Sequence, residues 1–309
     1  MLFGTYLPAA GAPVFAILAG FALAAARWVP ASCVPGCSFA GKALLQFSIV
    51  LLGAQLSLGV IVSGGLASLP VMLGTFAVVL AAAFVLGRAL GLDRDVRRLI
   101  GIGTAICGGS AIAALSSVVE VDASDVAYAL GTIFFFNIVA VLAFPPLGHL
   151  MHLDQHAFGV WAGTAINDTS SVVAAGFSYG RVAGNGAVIV KLTRTLLIVP
   201  TVGYYAIRRI LGATAGTRDV DWVAIVPWFV LWFLIAAALN SAGFVPAIAH
   251  APLQRTALFT IAIALAGVGA SADVNKIKAA GFRPLVLGGV LWVTISLASL
   301  GFARLFGVL

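Results

Sequence analysis

The stretch Gly163-Thr164-Ala165-Ile166-Asn167-Asp168-Thr169-Ser170-Ser171 sets a carboxylate beside a carboxamide and the three hydroxyls that follow them. Elsewhere the chain is suited to lipid: 9% of its 309 residues are charged and 62% are apolar, with a mean hydropathy of +1.13. A charge at membrane depth costs roughly 3 kcal/mol on insertion scales, so an aspartate there persists where it is used. Gly103-Thr104-Ala105-Ile106-Cys107-Gly108-Gly109-Ser110 echoes the run sixty residues earlier. Two polar, helix-breaking stretches in one apolar chain point to a binding site.

A soluble chain would carry roughly a quarter charged residues. This composition predicts an all-α polytopic membrane protein, residues 1–309 forming a single transmembrane domain. The net charge of +7 is scattered between apolar segments, which argues for membrane orientation and against nucleic acid. The N-terminus lacks the basic region of a cleavable signal. Cys33, Cys37 and Cys107 make no disulfide framework, and the Cys33/Cys37 pair, expected in a short loop, has no partner pair for a metal.

Spans of about twenty apolar residues number ten: Leu7 to Trp28, Ala43 to Val62, Leu66 to Leu90, Val96 to Val119, Val126 to Met151, Ala157 to Tyr179, Val188 to Leu211, Trp222 to Phe244, Leu253 to Ala272 and Pro284 to Phe306. One alternate set of loops holds Arg27 and Lys42; Arg94, Arg97 and Arg98; Arg208, Arg209 and Arg218; and Lys276, Lys278 and Arg283. The other holds Arg181 and Arg255 together with Glu120, Asp122 and Asp125. The positive-inside rule makes the first set cytoplasmic and places both termini outside, in the inner membrane of the cell.

An internal repeat appears at an offset of 214: Gly53, Ser57, Pro70, Leu73, Gly74, Val79, Leu86 and Gly87 recur as Gly267, Ser271, Pro284, Leu287, Gly288, Val293, Leu300 and Gly301. The loop charges give the two copies opposite directions, the plan of inverted-repeat secondary transporters. The Gly103/Gly163 echo does not fit that plan, since the ten-span count runs both segments outward. Either one crossing between them is miscounted or the tetrapeptide is convergent.

Gly108 and Gly109 weaken a helix, and Ser110 suits the start of the next one. A break there offers the amides of a helix N-terminus to an anion. Asn167, Asp168, Thr169, Ser170 and Ser171 favour a second helix start. Asp168 has three candidate roles: cap, ligand for a coupling cation, or proton carrier. Lys191 and Arg194, three apart on one helical face, could draw an anion, neutralise Asp168 or, for Lys191, snorkel to headgroups. Asn137 is expected to bond a neighbouring helix. His149, His152 and His156 read as a solvated loop, and no nucleotide-binding loop of the G-x-x-x-x-G-K-[ST] type is present.

Gly103–Ser110, Trp161-Ala162-Gly163 through Ser171-Val172-Val173-Ala174-Ala175-Gly176, Lys191-x-x-Arg194 with Pro200, and Leu265-Ala266-Gly267 leading to Lys276–Gly281 together resemble the YeiH-type sulfate exporter family. That family is grouped with the bile-acid/sodium symporter and cation:proton antiporter superfamily. The resemblance covers nearly the whole chain in order. It implies discontinuous helices, alternating access between two repeats, and export of sulfate or a related sulfur oxyanion. Two departures stand out: Asn167 precedes Asp168 where the family has a histidine before its acidic residue, and the family's additional N-terminal span has no counterpart.

The expected function is therefore secondary transport of a small anion without a cofactor, coupled to a proton or sodium. Substrate would meet Gly108, Gly109, Ser110, Asn167, Thr169, Ser170, Ser171, Lys191 and Arg194, with Asp168 coupling. The lipid bilayer is the surrounding partner and a homodimer is an open assembly. A passive anion channel is the alternative, and an enzyme is disfavoured because the spans hold no paired carboxylates.

Overall fold

The computed structural model describes residues 12–212, 226–271 and 281–308. The expected loop charges Arg218, Lys276 and Lys278 lie outside the described residues, as do the first residues of the first and eighth expected spans and the last residue of the ninth. Within them the chain forms helices and no strand. Six stretches are long and apolar enough to cross a membrane. These are α2 (Ala31–Gly53), α3 (Leu58–Ala89), α6 (Ala123–Leu150), the joined α9 (Arg181–Thr195) and α10 (Ile198–Gly212), α12 (Ala247–Ala270) and α13 (Phe282–Leu305). The shorter α1 (Ala12–Ala25) and α11 (Trp228–Ser241) complete an outer frame around two broken segments, α4 (Arg94–Ala105) with α5 (Gly109–Val118), and α7 (Gln155–Ala165) with α8 (Thr169–Tyr179).

Neither broken segment crosses the protein. Arg209, at the far end of α10, donates to the Val118 carbonyl oxygen and pairs with Glu120 at 2.8 Å. Arg94, Arg97 and Arg98 line the same groove as Val118 and Arg209. The start of α4 and the end of α5 therefore share one face, called here the basic face. At the opposite face Tyr179 donates to the Leu153 carbonyl oxygen, and Gln155 accepts from the Val182 amide at 2.9 Å. There α7 begins and α8 ends. Each pair is a re-entrant hairpin entering from its own face.

This corrects the expected crossings at Val96 to Val119 and Ala157 to Tyr179. It also reverses α6, which leaves the basic face, and moves Glu120, Asp122 and Asp125 from the outer set to the basic face. The two errors cancel in parity, so the segments from α9 onward keep their expected directions. The Gly103/Gly163 echo is now explained, because the hairpins that carry it enter from opposite faces and are mates of an inverted repeat.

The repeat at 214 is inverted too. Gly74 lies against Phe302 and Gly87 against Leu287, so α3 and α13 run antiparallel, and the offset maps this pairing onto itself to within one residue. The boundary between α2 and α3 falls at Ala54–Ser57, where the Ser57 hydroxyl accepts from the Val60 amide. The expected boundary at 62–66 lies inside α3, where Gly65 provides room for Thr193 of α9. Cys33 and Cys37 are helical, in the opening turns of α2, and unpaired. Outside the hairpins, α1 packs on α12 where Gly20 meets the Ala266 carbonyl and Gly269 meets that of Ile17, approaches too close for a Cβ.

Candidate functional site

The hairpin tips meet inside the helix bundle. The first break, Ile106–Gly108, turns through Gly108 at φ 68° and ψ −126°, a backbone region nearly reserved for glycine. The second, Ile166–Asp168, is extended and accessible to any residue. A Cβ built on Gly108 would come within 3.7 Å of the Asn167 carbonyl. Asn137, on α6, accepts from the Asp168 amide at 3.3 Å, tying the second tip to the helix between the hairpins.

Each break leaves the last carbonyls of its first half-helix without intrahelical partners, carrying the negative end of a helix dipole. Both sets turn to α9. Lys191 Nζ donates to Ile106 at 2.8 Å and to Ile166 at 3.0 Å. Arg194 donates from its two terminal nitrogens to Thr104 and Thr164, and from Nε to Ala105 at 2.9 Å. Thr104 and Thr164, like Ile106 and Ile166, are equivalent positions of the echoed tetrapeptide. The two cations thus sit between the mates and bond matching atoms of each.

Lys191 and Arg194 are both fully buried. A buried cation is costly unless its donors are satisfied. Here carbonyl dipoles take the place of a carboxylate, and among the described residues neither cation forms an ion pair. Snorkelling of Lys191 is thereby corrected: its ammonium points to the protein interior because two helix ends await it there. Two helix C-termini supply roughly one negative charge in total. The N-termini of α5 and α8 return about as much positive charge, so with the Asp168 carboxylate counted against Lys191 and Arg194 the centre keeps a positive excess.

The second half-helices begin differently. Asp168 caps α8, its Oδ2 accepting from the Ser170 amide at 2.8 Å and from the Ser170 hydroxyl. Its other oxygen accepts no hydrogen bond among the described residues. No side chain caps α5, and Ser110, the last residue of the echoed run, is exposed. Gly109, Asp168 and Thr169 are half-buried, while Asn167, Ser170 and Ser171 are buried. Of the expected site residues, the tips bring Gly108 to Asn167, and α9 bonds both breaks through Lys191 and Arg194. Ser170 is engaged by Asp168.

Several buried polar atoms around the tips have no partner: Thr104 Oγ1, Thr132 Oγ1, Asn137 Nδ2 and Asn167 Oδ1. Such atoms are rare in native interiors. The sequence reading missed Thr104, Thr132 and Cys107, which is buried in the first break. The echo could have found Thr104, since it matches Thr164. Among the described residues no His/Cys/Asp/Glu group could hold a metal, and His149 stacks on Tyr179 with ring centroids 4.3 Å apart.

A family model described as conserved hypothetical protein 698 matches residues 2–288. A UPF0324 membrane protein of Streptococcus agalactiae serotype V is 38% identical over 314 residues, covering 99% of this chain and 93% of the relative. One from Clostridium tetani is 35% identical, covering 94% and 88%, and one from Fusobacterium nucleatum subsp. nucleatum is 32% identical, covering 99% and 94%.

Proposed function

The chain belongs to the conserved hypothetical protein 698 family of UPF0324 membrane proteins, and from that premise we propose that it is a secondary transporter of a small anion. The observation that carries this reading is the meeting of two opposed re-entrant hairpins at a centre of positive excess. Re-entrant backbone is tolerated at membrane depth where it is buried in protein or lines a cavity. Broken helices at a repeat interface are the usual substrate site of transporters with inverted repeats. A sulfur oxyanion is the substrate class, in keeping with the YeiH-type resemblance.

The anion binds at the uncapped N-terminus of α5, on the amides that follow Gly108 and on the Ser110 hydroxyl. Lys191 and Arg194 supply field from behind the breaks while their carbonyl bonds hold the tips together. Asp168, with one free carboxylate oxygen, binds the coupling proton or sodium. Coupling requires that this ion favour one access state over the other. The basic face is cytoplasmic, the membrane is the inner membrane, and a homodimer is the assembly to test.

Reconstitution into proteoliposomes tests the proposal. Loaded sulfate, sulfite or thiosulfate should exchange with labelled external anion, saturably and with dependence on pH or sodium. Asp168→Asn should abolish that dependence. Non-saturable flux that Asp168→Asn leaves intact would identify a passive channel instead.

A further inference from the structure

On the basic face a groove of about 760 Å³ lies over α4, between the ends of α3, α5 and α10. Its volume falls in the range of small-molecule sites, roughly 300–1,000 Å³. Five arginines line it, Arg94, Arg97, Arg98, Arg208 and Arg209, with Glu120 the one acid among its lining residues. Arg209 is taken by Glu120 and Arg98 by Asp95, at 2.8 and 3.0 Å. Arg94, Arg97 and Arg208 have no carboxylate partner among the described residues.

The other walls are aromatic and aliphatic. Arg97 lies over the Phe84 ring at 5.5 Å, Arg98 over Tyr205 at 5.3 Å and Arg208 over Tyr204 at 5.8 Å. A guanidinium stacked on a ring is held by its face and keeps its in-plane N–H donors for a planar or tetrahedral oxyanion. Phe84 and Tyr204 are more than half exposed, and Leu80 and Ala83 continue the apolar wall along α3. The lining stops at Ile102, short of the Ile106 break, so this is not the site at the tips.

We propose that this groove binds a phosphate-bearing anion with an apolar body, the headgroup and glycerol region of an anionic phospholipid. Arg94, Arg97 and Arg208 grip the phosphate, and Phe84 and Leu80 pack against the first carbons of an acyl chain. The chemistry shared with free phosphate is the arginine cluster. The apolar wall favours the lipid. Basic clusters at cytoplasmic helix ends draw anionic lipids by both field and contact.

The test uses the purified full chain in detergent, with phosphatidylglycerol, phosphatidylcholine or inorganic phosphate added, read by thermal unfolding and by lipid retention in native mass spectrometry. Phosphatidylglycerol should raise the Tm and phosphatidylcholine should not. The variant Arg94→Ala/Arg208→Ala changes two exposed residues and should fold as the wild type does, which its unliganded Tm checks. Its affinity for phosphatidylglycerol should fall about thirtyfold, from two arginines near an anionic headgroup. If inorganic phosphate stabilises as well as the lipid and the variant loses both effects, the groove is a phosphate site whose ligand is the free ion. Absence of stabilisation by either, or stabilisation that the variant keeps in full, overturns the proposal.

Discussion

The two hairpins share a sequence echo, Gly-Thr-Ala-Ile and a closing serine, and differ at the three residues between, among them the one that starts each second half-helix. Gly108 opens α5 and Asp168, sixty positions on, opens α8. On the first-half side they are treated alike, because Lys191 and Arg194 bond matching carbonyls of both. On the second-half side one N-terminus holds its own carboxylate and the other is left open. The tips share their carbonyl bonds to α9 but differ in both backbone and charge where the second half-helix starts, and under the proposed function these become two neighbouring places of opposite preference: one for an anion, at α5, and one for a cation or proton, at Asp168. A fully symmetric pair of tips could not provide both.

The largest effect should come from breaking what the hairpins share. Arg194→Ala strips the donors from Thr104, Ala105 and Thr164 at once. A buried carbonyl left without its donor costs about 1–3 kcal/mol and three are left at once, so the variant should unfold at a distinctly lower Tm and exchange no anion. Arg194→Lys keeps the charge but cannot span three carbonyls, and should recover part of the stability. Wild-type Tm in Arg194→Ala would show that the cations do not hold the tips.

Next in size are the two cap positions. Gly108→Ala forces a Cβ into a positive-φ turn and to within 3.1 Å of Ile133 Cγ2, at a cost of about 1–3 kcal/mol. Asp168→Ala removes a helix cap from ordinary backbone and should cost about 1 kcal/mol. Asp168→Asn keeps a good cap and should leave the Tm unchanged. Denaturation of the three variants in one detergent measures the order. If Asp168→Ala proves costlier than Gly108→Ala, the difference between the tips is not one of backbone.

The breaks themselves were legible because glycine pairs and N-cap residues are local signals: Gly108-Gly109-Ser110 and Asn167-Asp168-Thr169 name them directly. What hydropathy could not show is whether the chain passes through a break or turns back at it. Ile102 to Val118 is as apolar as a crossing. Counting Val96 to Val119 as a crossing puts the loop after it outside, and its acids Glu120, Asp122 and Asp125 give no warning, because the positive-inside rule weighs lysine and arginine and gives acids little say. Those acids lie on the basic face, where Glu120 pairs with Arg209. The parity conflict of the Gly103/Gly163 echo was the one sequence observation that registered the miscount. The targets of Lys191 and Arg194 were out of reach for a different reason, since backbone carbonyls leave no mark in residue identity.

The smallest effect is the most diagnostic, and it concerns Ser110 and its mate Ser170. Both are the second residue of their half-helix, so a difference in their behaviour reports environment and not position. The Ser170 hydroxyl donates to Asp168 and is buried. Ser170→Ala should therefore lower stability by about 1 kcal/mol, the net worth of one hydrogen bond, and leave the anion concentration for half-maximal exchange unchanged. The Ser110 hydroxyl is exposed and makes no bond within the protein among the described residues. Ser110→Ala should leave the Tm unmoved and raise that half-maximal concentration about three- to tenfold, the same single hydrogen bond now lost from the ligand. The opposite pattern, with Ser170 governing affinity and Ser110 stability, would move the anion from α5 to α8 and leave the Asp168 carboxylate facing the substrate's own charge.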